Sequence, residues 1–75
     1  MRRLPALKPR EVIRALGRAG FFVQRISGSH HVLRRVDDPG IRVTVAYHHK
    51  DLKPKTLRTI IAQAGLTEEE FLDLL

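Results

Sequence analysis

Two turn signals, Ser27-Gly28-Ser29 and Asp37-Asp38-Pro39-Gly40, cut the middle of the chain into three short runs that read as β-strands. The first, Phe21-Phe22-Val23-Gln24-Arg25-Ile26, is aromatic and β-branched and too short for a helix. His30 to Val36 supplies the second. In the third, Ile41, Val43, Val45 and Tyr47 alternate with Arg42, Thr44 and Ala46, the period-two mark of a strand with one buried face. Joins this short admit only antiparallel pairing, so the runs form a meander. In the second run Val32 and Val36 compete with Leu33 for the buried face. The alternation therefore leaves open whether His30 or His31 points outward.

The flanks read as helices. Residues 1–7 form an expected loose basic arm. Pro9 then suits a first helical position, where its missing N–H costs nothing. Val12, Ile13, Leu16 and Ala19 follow at one-face spacing, with Arg10, Arg14 and Arg18 along the flank, until Gly20 stops the pattern. The expected helix covers 9–19. After a polar loop, His48-His49-Lys50-Asp51-Leu52-Lys53, Pro54 opens a second helix whose Leu57, Ile60, Ile61 and Ala64 share a face up to Gly65. Thr67 with Glu70 three residues on is a capping box that starts a short last helix through Leu75, with Leu72 and Leu75 expected to face the core. Without repeats or linkers, residues 1–75 make one domain. Its order is α-β-β-β-α plus a short C-terminal helix. The expected class is α+β, a three-stranded antiparallel sheet with helices on one face.

Composition narrows the partners. Fourteen Lys and Arg against eight Asp and Glu give +6 and an isoelectric point near 10.8. Glu68, Glu69, Glu70 and Asp73 all lie in the last nine residues, so residues 1–66 hold every base and carry +10. Such a body attracts a polyanion, nucleic acid above all, although a merely solvated surface has the same charge. With no cysteine there is no disulfide scaffold, no thiolate zinc site and no cysteine nucleophile. No apolar run is long enough to span a membrane, and the N-terminus lacks the apolar stretch of a signal peptide, so a soluble cytoplasmic protein is expected.

All four histidines come as neighbours, His30-His31 and His48-His49. Adjacent side chains on a strand point to opposite faces, so His30 and His31 do not chelate one ion together. Neither pair has the spacing of a helical zinc site, and no metal or other cofactor is expected. A Ser29-His30-Asp51 triad meets the same divergence and lacks a nucleophile elbow. Ser29 reads better as a turn residue and Gly28 as the supplier of an unusual φ. What remains is a histidine acting as general acid or base, with Arg25, Arg34 and Arg35 near it in sequence to hold a phosphate. The bland alternative is a pair of surface histidines.

Several segments, taken in order, resemble the HicA toxins of bacterial and archaeal toxin–antitoxin modules. These are Gly28-Ser29-His30-His31, Ile41-Arg42-Val43-Thr44-Val45, His48, Lys50-Asp51-Leu52, Thr56-Leu57-Arg58-Thr59-Ile60-Ile61, and the run from Gln63 to Phe71. The sequence departs from the family's usual proline and glycine around the loop histidine, reading Ala46-Tyr47-His48-His49, and has Lys55 where glycine is common. The resemblance implies a double-stranded-RNA-binding-domain-like fold and a metal-independent ribonuclease that cleaves messenger RNA. It also implies a HicB-type antitoxin that covers the active site. By the resemblance the catalytic residue is His30, with His31 as the fallback. The rival reading is a non-catalytic double-stranded-RNA-binding module holding phosphates with Lys50, Lys53, Lys55 and Arg58. A catalytically dead relative kept for protein partners is a further alternative.

Overall fold

The structure, a computed structural model, describes residues 3–75. Its elements are α1 (Pro9–Arg18), β1 (Phe21–Ser27), β2 (His30–Arg35), β3 (Asp38–Ala46), α2 (Pro54–Gln63) and α3 (Glu68–Leu72). The strands form an antiparallel sheet in the order β1-β2-β3. This is the expected α-β-β-β-α order, with α3 as the short addition.

Helix α1 begins as its sequence dictates. Pro9 occupies the first turn, and the Lys8 N–H donates to the Glu11 carboxylate at 2.9 Å, closing the helix start. Pro9, Val12, Ala15 and Leu16 are buried, while Arg10, Arg14 and Arg18 stay on the wet side. The residues before α1 are less free than a loose arm. Leu7 is buried in the core, Leu4 packs against it, and the Leu7 carbonyl accepts from the Leu52 N–H at 2.8 Å. Residues 1–2 of the arm lie outside the described residues.

One turn differs from expectation. Asp37-Asp38-Pro39-Gly40 does not form the β2–β3 connection; Val36 and Asp37 do, and Asp38, Pro39 and Gly40 already belong to β3. Pro39 is tolerated there because β3 is an edge strand and its missing N–H deprives no neighbour. A register shift between Arg34 and Arg35 takes up the mismatch. The shorter turn leaves Val36 68% exposed.

Register settles which residues face inward. Leu33 lies opposite Val23 and Val43, and His31 opposite Ile26 and Val45. Leu33, Val43 and Val45 meet Val12, Leu16, Leu57, Ile61 and Phe71 in a single core, so the helices cover this one face. Val32 is buried as well, yet it stands outside that core on the opposite face, between its register partners Arg25 and Thr44.

At the C-terminus the capping box forms as read. The Thr67 hydroxyl accepts from the Glu70 N–H at 3.1 Å, and the Glu70 carboxylate accepts from the Thr67 N–H at 2.8 Å. The residue that α3 buries is Phe71. Leu72 is only half-buried, because a helix of five residues presents about one position per turn to the core, and Leu75, three residues past the end of α3, is 50% exposed.

Candidate functional site

The β1–β2 hairpin turns at Gly28, whose φ of +59° lies where L-residues are strained. His30 is therefore the first residue of β2, on the face of the sheet left open by the helices of the described residues. Its neighbours across the strands are Ser27 and Ala46, both small, and the side chain is exposed. One step beyond the ladder, the Tyr47 N–H donates to the Ser29 carbonyl at 2.6 Å, which ties the start of the next loop to the hairpin.

His31 has the opposite role. It points to the helix side, is half-buried, and stacks on Tyr47 with ring centroids 4.5 Å apart and an interplanar angle of 19°. Its Nδ1 is buried and makes no hydrogen bond, so that edge of the ring faces protein rather than solvent. Of the adjacent pair, the exposed member is His30.

The loop from Tyr47 to Lys53 brings Tyr47, His48 and His49 beside Lys50 and Lys53, the two bases that the sequence reading assigns to phosphate. The Lys50 N–H donates to His48 Nδ1 at 3.2 Å. The loop is held from below by the Leu52–Leu7 backbone bond and by Lys8 Nζ, 3.7 Å from an Asp51 carboxylate oxygen. That ion pair is about half exposed and contributes at most about 1 kcal/mol. Two cavities flank the loop. One, of about 220 Å³, is lined by Lys8, Arg10, Tyr47, His48 and His49. The other, of about 410 Å³, has Ala46, His48, Lys50, Lys53 and Thr56 in its wall. Lys53 is the N-cap of α2, which has no side-chain cap and no acid in its first turn. Its unpaired N–H groups and dipole therefore favour an anion.

The expected basic residues divide into groups. Lys50 and Lys53 come to the loop beside His48, and Lys55 and Arg58 continue along the exposed side of α2. Arg25 shares the open sheet face with His30. Arg34 and Arg35 do not join His30, since they lie at the far end of β2, about 13–17 Å away at about 3.3 Å per residue. There the Arg34 guanidinium donates to the Gln24 side-chain oxygen at 2.9 Å and to the Pro39 carbonyl at 2.7 Å. Arg35 Nε lies 2.8 Å from an Asp37 carboxylate oxygen. These two arginines brace the β2–β3 turn. Lys8, Arg10, Tyr47 and His49 were not singled out as site residues in the sequence, where they lie far from His30, whereas Lys50 and Lys53 pointed to this loop by their charge and His48 by the resemblance.

A three-stranded antiparallel sheet in α-β-β-β-α order, helices on one face and a histidine with flanking basic groups at the open end, defines an α+β domain of the double-stranded-RNA-binding-domain-like class. The sequence model of one family, described as the HicA toxin of bacterial toxin–antitoxin, matches residues 9–66. The chain belongs to the HicA toxin family, and its role is that of a toxin with an antitoxin partner. The matched segment runs from α1 past α2 and holds both histidine pairs, but stops before α3. A search of curated proteins found no match.

Proposed function

We infer that this toxin is an endoribonuclease that cleaves messenger RNA without a metal ion, with His30 as the group that moves the proton. The observation that carries this reading is the placement of His30, exposed on the bare sheet face between Ser27 and Ala46. Imidazole exchanges a proton near neutral pH without extreme tuning. His30 takes the proton of a ribose 2′-OH, O2′ bonds to the adjacent phosphorus, and the bond to the 5′ oxygen breaks. The products are a 2′,3′-cyclic phosphate and a strand with a 5′-OH, the departing oxygen taking its proton from solvent water, to which His30 later returns the one it took. Acid–base assistance contributes about 10²–10⁴ in rate, and Lys50, Lys53 and the N–H groups opening α2 stabilise the phosphoryl charge. Arg25, Lys55 and Arg58 hold the flanking backbone, and Gly28 and Ser29 shape the turn. The partner is a HicB-type antitoxin that covers His30.

Purified protein is expected to cut RNA in EDTA, and His30→Ala to lose nearly all activity while keeping a native circular dichroism spectrum. Cleavage abolished by chelation, or undiminished in His30→Ala, would overturn this mechanism. Loss confined to His31→Ala would move the role to that residue. A second reading, a double-stranded-RNA-binding module, draws on the uncapped start of α2 with Lys50, Lys53, Lys55 and Arg58. It expects binding with no cleavage at all.

A further inference from the structure

Among the described residues His48 alone lines both cavities, with Lys8, Arg10 and His49 on one side and Lys50 and Lys53 on the other. Its Nδ1 is already occupied, accepting the Lys50 N–H at 3.2 Å. A neutral imidazole that accepts at Nδ1 carries its proton on Nε2, so what this ring offers a ligand is a fixed N–H donor and not a base. It also stands two residues beyond Ala46, the strand partner of His30, at the end of the sheet where His30 is exposed. The cavities to either side are walled by ammonium and guanidinium groups at the start of each long helix. Asp51, the carboxylate in the second cavity's wall, is drawn toward Lys8.

We propose that His48 is a phosphate-positioning residue. Its Nε2–H donates to a non-bridging oxygen of the phosphodiester while the neighbouring phosphates of the same single strand lie in the two cavities. This rests on the ribonuclease reading for the identity of the reaction, and it assigns His48 a role that acid–base chemistry at His30 leaves open. The ring donates a hydrogen bond and keeps its proton, so it helps most as charge gathers on the phosphoryl oxygens.

The role has a chemical signature. A glutamine amide N–H lies close to where Nε2–H does, whereas an asparagine is too short. With a short RNA substrate, His48→Ala is expected to lower kcat about 100-fold, in the range for loss of one such donor. KM should move far less, His48→Gln should recover most of the loss, and His48→Asn should not. In the free protein, ¹⁵N spectra of the ring above neutral pH should show the proton on Nε2 and a bare, hydrogen-bonded Nδ1. Unchanged kcat in His48→Ala, a folded His48→Gln as slow as alanine, or a proton found on Nδ1 would each overturn the proposal. A fully 2′-O-methylated oligonucleotide separates this from the ribonuclease reading. It should bind His48→Ala about 10-fold more weakly than wild type even if no RNA is cleaved, and equal binding would remove the phosphate contact.

Discussion

Gly28 sets where His30 stands. At φ +59° it reverses the chain in the fewest residues and delivers His30 to the open face as the first residue of β2. An added Cβ meets no atom within 4 Å, so the cost of Gly28→Ala is backbone strain, about 1–2 kcal/mol. Urea unfolding should show that loss, with Gly28→Asn milder because asparagine tolerates this region better. A loss as large for Asn as for Ala would mean that something other than φ is at stake. His31 illustrates the reverse case. It is adjacent to His30 in sequence, yet the pleat turns it under Tyr47, where it packs.

At the scale of elements, α3 is the clearest case of local chemistry deciding structure. The Thr67 backbone N–H, and then its hydroxyl, hold the Glu70 carboxyl below the usual glutamate range. A lowered folded pKa means the ionised carboxylate favours the folded state. Its contribution is present above the ordinary value of about 4.5 and is lost as pH falls through the lowered value. Glu70→Gln should therefore flatten the acid limb of a stability-against-pH curve. An unchanged limb would show that this cap does not report on folding. Thr67→Ala removes the N-cap acceptor and should cost about 1 kcal/mol. Phe71→Ala empties a fully buried site and should cost about 3–5 kcal/mol, a severe loss in so thin a core. Together these variants measure how far α3, which lies beyond the family match, secures the domain.

At the scale of the molecule, charge and exposure decide behaviour. If the +10 body of residues 1–66 binds single-stranded RNA, its affinity should fall with salt at a slope of about −0.7 per phosphate contact, and removing Lys53 and Lys55 together should flatten that slope. Salt-independent affinity would mark the basic surface as solvated charge only. Among the described residues no helix covers the sheet face that bears His30, and on the ribonuclease reading this is the face an antitoxin would have to cover. A partner that meets this basic surface with acidic groups binds with a salt-dependent association rate. Overproducing the chain alone should arrest growth, and His30→Ala or co-expression of the antitoxin should relieve it. Harmless overproduction of folded wild type would favour the binding module.

The sequence by itself determined the element order, the class of the fold and the family. Period-two alternation, helical spacing, prolines, glycines and a capping box are all local signals, and here they agree. Through the family likeness at Gly28-Ser29 it also pointed to His30, with His31 as the fallback. Tertiary structure decided what depends on pairing between distant segments. Only register with Val43 and Val45 shows that Leu33 faces the core and that His31 therefore turns inward and His30 outward. Only the edge position of β3 explains why Pro39 lies inside a strand. The grouping of Lys8 and Arg10 with His48 and His49, and the separation of Arg34 and Arg35 from His30, follow from how strands and loops are laid side by side. Those distances are set by packing across the chain, and spacing along it carries no record of them.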